Sequence, residues 1–294
     1  GTCTTTADPR QPSSNSGEQT TSDKTSGLSP SRPSSAWVIT IVASINFIIL
    51  HPREVRSSGS TMGNTAGKLL EAAKKGNTLE VKAIAAKGID VDRPREKKTG
   101  SHALHFAARN GHSGALRILI DAKARVDVKD KKGWTPLHSA ANMGHVGVAQ
   151  DLISAGASAE AQCAFAGRTP LMLAALRDKT EMVVILLQTK ASPDSTDNEG
   201  WTALMHAATA GHMDQIHQLL KYGAKVNKTS SSGNTALMEA AIWHNIEVVK
   251  YLVETAVADP ELKNAEGKTA LDLARESPFR ERLPIVEYLQ HILS

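Results

Sequence analysis

The chain has 294 residues, of which 22% are charged, 40% hydrophobic and only 4% aromatic, and 34 Lys+Arg against 30 Asp+Glu leave a net charge of +4. That balance is too mild for a dedicated nucleic-acid binder, and the composition excludes collagen, coiled coil and polytopic membrane protein. Two cysteines far apart in sequence, Cys3 and Cys163, exclude a disulfide-stapled scaffold and a Cys-rich zinc module, and they fit a reducing compartment.

The first 35 residues hold 16 Ser or Thr and four Pro, with Leu28 as the single large aliphatic residue. Such a segment cannot bury enough apolar surface to offset its ordering entropy, so it reads as disordered. Ala36 to Leu50 then runs AWVITIVASINFIIL. As a helix it would span about 22 Å, against a hydrocarbon core of roughly 30 Å. No methionine precedes Met62. Residues 1–61 therefore have three readings: sequence that is not translated, a membrane anchor or leader, or a soluble tail with an apolar patch. A chain starting at Met62 would expose Gly63, the residue that N-myristoylation requires, although Gly67 stands where Ser or Thr is usual.

From about residue 66 the chain is periodic. Gly100-SHALHFAARNGH, Gly133-WTPLHSAANMGH, Gly167-RTPLMLAALRDK, Gly200-WTALMHAATAGH, Gly233-NTALMEAAIWHN and Gly267-KTALDLARES open with glycines spaced 33, 34, 33, 33 and 34 apart. Within one unit, Thr135 is placed to cap a helix and Pro136 to preset its first turn. Leu137, Ala140 and Ala141 form an apolar stripe, with Ala-Ala pairs recurring in the next units so that helices can approach closely. A second stripe follows, as in Val148/Leu152/Ile153 and Ile216/Leu219/Leu220, and Gly156 or Gly223 ends that helix. Lys123 and Lys190 hold the same place in two other units, where a left-handed cap is less expected.

A 33-residue unit with T-P-L-H-x-A resembles the ankyrin-repeat family over Ala66 to Ser294. The resemblance implies an all-α solenoid of helix-turn-helix units with β-turn or hairpin fingertips. Seven repeats are expected, near 66–96, 97–129, 130–163, 164–196, 197–229, 230–263 and 264–294. Leu69 to Gly88 would be the N-terminal cap, and the last unit carries about three extra residues between Ser277 and Leu283. His105 and His138 would bridge loop backbone between repeats, and His112, His145 and His212 would sit at inter-helix turns.

The sequence offers no catalytic site, no metal site and no cofactor. GxSxG, HExxH and P-loop patterns are missing, and the histidines recur one per repeat instead of converging on one point. The expected function is therefore a non-enzymatic interaction module or adaptor that binds one or more unidentified proteins. It is expected to be monomeric and cytoplasmic, with no nucleic-acid partner. Carried over from the family's variable places, the partner-binding candidates are Arg109, Asn110, Lys131, Lys132, Trp134, Asn142, Met143, Phe165, Arg177, Trp201, Ile242 and Trp243. Arg168, Asn198, Glu199, Asn234, Glu266 and Lys268 occupy flanking places of the same kind.

Charge is divided along the repeats. Ala66 to Lys132 holds 16 basic and 8 acidic residues, net +8, whereas Gly133 to Ser294 holds 13 basic and 18 acidic, net −5. The first fingertip, with Arg93, Arg95, Lys97 and Lys98, is the most basic stretch. Together with an acyl chain on Gly63 it would suit an anionic membrane surface, so a membrane-tethered adaptor is one alternative. Others are a proteasome-assembly chaperone and an inhibitory regulatory subunit.

Overall fold

The computed structural model describes residues 61–93, 95–277 and 283–294. The Ser/Thr-rich leader and segment 36–50 lie outside the described residues, as do Pro94 and the extra residues 278–282. Among the described residues there are fourteen helices, paired in chain order. The inner helices are α1 (Thr61–Lys75), α3 (Ala103–Arg109), α5 (Pro136–Met143), α7 (Pro170–Leu176), α9 (Ala203–Ala210), α11 (Ala236–Ile242) and α13 (Ala270–Glu276). Each is followed by an outer helix: α2 (Thr78–Ala85), α4 (Ser113–Asp121), α6 (Val146–Ser154), α8 (Thr180–Gln188), α10 (Met213–Lys221), α12 (Ile246–Glu254) and α14 (Leu283–Leu293). Helix α1 begins upstream of Ala66 and includes the backbone of Gly63.

Every inner helix packs on the next inner helix and on its own outer partner. This explains why α5 is buried from Pro136 through Ala141. An inner helix meets neighbours on three sides, so a single stripe would not suffice. Alanine is needed because side-chain volume sets how closely helix axes approach, typically 8–10 Å. Ala107, Ala108, Ala140, Ala141, Ala174, Ala175, Ala207, Ala208, Ala240 and Ala241 all have 0% exposure. The outer helices contribute the larger side chains Leu116, Leu119, Leu152, Leu186 and Leu219, each likewise fully buried.

The T-P-L-H phrase is a reciprocal cap. Thr135 Oγ1 accepts from the His138 N–H at 3.4 Å, and His138 Nδ1 accepts from the Thr135 N–H at 3.1 Å. With Nδ1 accepting, the ring proton resides on Nε2, which donates to the Arg168 carbonyl of the next repeat at 3.0 Å. His105 does the same, from the His102 N–H at 3.2 Å to the Trp134 carbonyl at 2.8 Å. Met172 and Met238 keep only the local half, accepting weakly through sulfur from Thr169 and Thr235.

The inter-helix turns repeat a second device. His112, His145 and His212 donate from Nε2 to the carbonyls of Lys74, Arg109 and Leu176, one repeat back. Asn245 replaces them in the next unit, donating to the Ala208 and Thr209 carbonyls. At the ends of the outer helices, Lys123 and Lys190 do adopt the left-handed backbone, with φ of 67° and 66°. The Ala124 N–H reaches the Leu119 carbonyl and the Ala191 N–H the Leu186 carbonyl, closing the helix end despite the Cβ.

Candidate protein-interaction surface

Each repeat projects a loop between an outer helix and the following inner helix, and a polar anchor shapes its tip. Asp130 Oδ1 accepts from the Lys132 and Trp134 N–H groups at 2.8 and 2.9 Å. Asp197 serves Glu199 and Trp201 in the same way, and Asn264 serves Glu266 and Lys268. These are tight turns closed by a side chain. Among the described residues the extended pairing amounts to one isolated bridge, Arg95 with His102, so the fingertips are turns more than strands.

Successive tips are tied by backbone hydrogen bonds. Lys131 N–H donates to the Thr99 carbonyl, Ala164 to Lys132, Asn198 to Ala166, Ser231 to Glu199 and Ala265 to Ser232, at 2.9–3.0 Å. The approach is close enough to require glycine at the turn. A Cβ on Gly133, whose φ is +72°, would stand 2.4 Å from the Ala164 nitrogen.

The predicted contact residues fall into two groups. Arg93, Arg95, Lys97, Lys98, Lys131 and Lys132 are exposed on the first two tips, and Phe165 is 79% exposed on the third. Arg109, Asn110 and Met143 are exposed at the ends of the inner helices, with Asn110 Nδ2 donating to the Lys74 carbonyl at 2.8 Å. The other group is half-buried. Asn142 accepts from Arg177 Nε at 3.1 Å, and burial, with Arg168 nearby, holds the Arg177 guanidinium below its ordinary pKa. Trp134 stacks on His138 and Trp201 lies tilted against His206, with centroids 6.3 and 5.2 Å apart, and Trp201 packs against the core. Ile242 ends α11, and Trp243 directly after it hydrogen-bonds Glu239.

Sequence reasoning missed the buried polar groups beneath these residues. The signal was a charged or ionisable residue six places after the repeat glycine, where other units carry Phe106, Ser139 and Leu173. His206 is buried and donates from Nε2 to Asp197 Oδ2 at 3.0 Å. Burial depresses its pKa, so the ring is neutral, while Asp197 is held below the usual carboxylate range: burial opposes this, but the His206 bond and the turn N–H groups outweigh it. Glu239 is 4% exposed and accepts from Asn234 Nδ2 at 2.8 Å. Burial pushes its carboxyl up to about 7, and Glu199 adds to the rise against the Asn234 and Trp243 hydrogen bonds. Among the described residues no group of His, Cys, Asp or Glu could hold a metal ion, and no helix is long and apolar enough to cross a membrane.

A stack of capped helix pairs with tied fingertips defines a repeat scaffold, and comparison with known proteins gives its family. The Ankyrin repeats family, in three copies, matches residues 69–163, 150–230 and 215–292. The chain belongs to the ankyrin-repeat family. Among solved structures, the human ASB11 ankyrin repeat domain is similar at TM-score 0.64 and 30% identity, covering 74% of this chain and 96% of that one. The ankyrin repeat domain of Bcl-3, a member of the IkappaB protein family, is similar at TM-score 0.65 and 26% identity, covering 79% and 100%. Among curated sequences, cortactin-binding protein 2 of Rattus norvegicus is 44% identical over 70 residues, 23% of this chain and 4% of that protein. The chain thus matches only a small part of that relative's length.

Proposed function

We propose that the chain is a non-enzymatic protein-interaction module that holds a partner protein along its fingertips and the exposed ends of its inner helices. Phe165 carries this reading: a large apolar side chain, 79% exposed, stands on a tip that backbone hydrogen bonds hold on both sides. An aromatic ring turned to water on a tip with a fixed backbone suits a binding anchor. The family's function as a protein-interaction module, and relatives such as cortactin-binding protein 2, point the same way. On this reading the chain acts in the cytoplasm, and the buried free thiol of Cys163 fits a reducing compartment.

Capture of partners from native cells on the tagged chain tests it. Phe165→Ala and Met143→Ala should each deplete the same captured protein, whereas Gln150→Ala, on the outer helix α6, should not. Equal capture by all of them, with unchanged melting, would remove the tips and inner-helix ends as the binding surface. A second reading rests on the exposed Arg93, Arg95, Lys97 and Lys98: with an acyl chain on Gly63, this tip would hold the chain on an anionic membrane. Acylated protein that fails to sediment with anionic vesicles at low salt ends that reading.

A further inference from the structure

The fingertips form an ordered series whose chemistry changes along the stack. The first tip presents Lys97 and Lys98, the second Lys131 and Lys132, the third Phe165 and the fourth Glu199, and all six side chains are exposed. The backbone bonds from Lys131 to Thr99, Ala164 to Lys132 and Asn198 to Ala166 tie these four tips one to the next. The Lys131 ammonium adds a further tie, to the Lys97 carbonyl at 2.6 Å. The sequence of charges is therefore fixed in space, not carried on independent loops.

Pitch follows from packing. The tips sit on inner helices stacked side by side, and helix axes in contact lie about 8–10 Å apart. An extended chain advances about 3.3 Å per residue, so about three residues span one tip to the next. Opposite charge across a contact selects partners and speeds encounter, while a like charge is rejected.

We infer that the tips read an extended acidic-to-basic segment of a partner protein. It carries two acidic residues, then a bulky apolar residue, then a basic one, each about three residues after the last. The acidic residues face the Lys97/Lys98 and Lys131/Lys132 tips, the apolar side chain covers Phe165, and the basic residue meets Glu199. This inference rests on the interaction-module reading and specifies the partner's chemistry. A membrane surface fits it less well: anionic headgroups would suit the first two tips, whereas Glu199 on the fourth would repel them.

The experiment uses the full chain and fluorescein-labelled Ser/Gly peptides read by anisotropy. The peptides carry Glu, Glu, Leu and Lys at three-residue spacing, in that order and reversed, beside peptides of the same composition at four-residue spacing. One three-spaced peptide should bind about tenfold more tightly than its four-spaced counterpart and weaken with salt, and Phe165→Ala should cost about as much again. Lys132→Glu should abolish binding, and exchanging the facing peptide Glu for Lys should restore it. Melting curves of both variants confirm that the stack is intact. Equal affinity for both spacings, or binding indifferent to Lys132→Glu and Phe165→Ala, overturns the inference, as does binding to phosphatidylserine vesicles with none to any peptide. If the peptides fail while cellular capture still depends on Met143, the interaction-module reading survives and only the ladder falls; loss of both removes both.

Discussion

Asp197 and His206 meet at 3.0 Å, Oδ2 to Nε2, and the same carboxylate shapes the fourth fingertip through Oδ1. One buried residue thus fastens the loop that carries Glu199 and Trp201 to the inner helix α9. The pair is a neutral imidazole donating to a carboxylate, which avoids the cost of burying two charges while satisfying both groups. Arg168 Nε lies 3.8 Å from the same oxygen, so a partly buried guanidinium also favours the ionised acid.

Removing that carboxylate leaves a buried ring N–H and two turn N–H groups without acceptors. Asp197→Ala is expected to lower stability by about 3 kcal/mol. Asp197→Asn keeps an oxygen for the turn and loses only the acceptor for His206, so it should cost about 1 kcal/mol. Denaturant melts of both variants check this; equal losses would mean that the side chain does not organise the turn.

Acid should weaken the stack before ordinary carboxylates titrate. Burial lowers His138 from 6.5 to about 4, and it lowers His105 and His206 as well. The unfolded chain binds these protons first, so the contribution is fully present above 6.5 and is lost as pH falls towards 4. For His138 alone the loss is roughly 3 kcal/mol. His138→Gln should flatten stability against pH between 6.5 and 4; an unchanged slope would show that the ring is charged inside the fold.

Glu239 works in the opposite sense. Its folded carboxyl keeps a proton up to about 7, against an ordinary 4.5, so its contribution is present below 4.5 and is lost as pH rises through 7. Glu239→Gln should therefore gain on the parent by roughly 3 kcal/mol between pH 4.5 and pH 8, whatever its absolute stability. A constant difference between the two proteins across that range would contradict a protonated Glu239.

Val257 holds φ of 55° with 76% of its surface exposed, so a β-branched residue adopts the left-handed region with little burial in return. That backbone costs an L-residue about 1–2 kcal/mol. Val257→Gly should stabilise by about 1 kcal/mol, the remainder being offset by glycine's greater freedom in the unfolded chain. A lower melting temperature for the variant would show that the Val257 side chain makes a contact worth more than its strain.

The sequence by itself determined the repeat and its phase. A glycine every 33 or 34 residues, the capping phrase after it and the small-residue stripe are local requirements of turn, cap and close helix packing, and each is written within one unit. The bridging roles of His105 and His138 were implied by the resemblance to the ankyrin-repeat family, since the carbonyls they reach lie in the next repeat. The buried polar floor was decided only in the folded stack. His206 and Glu239 find their partners in Asp197, a fingertip anchor, and in Asn234, the residue after Gly233, nine and five residues earlier, only when the loop folds over the inner helix. The left-handed caps at Lys123 and Lys190 close their own helix ends through the Ala124 and Ala191 N–H groups, a demand that outweighs the intrinsic preference of lysine. The tips join one another through bonds between residues about one repeat apart, as from the Ala164 N–H to the Lys132 carbonyl and from the Lys131 ammonium to the Lys97 carbonyl. A repeat sequence specifies its module through local propensity, whereas the surface along the stack arises from modules in contact, and only the tertiary structure aligns their tips.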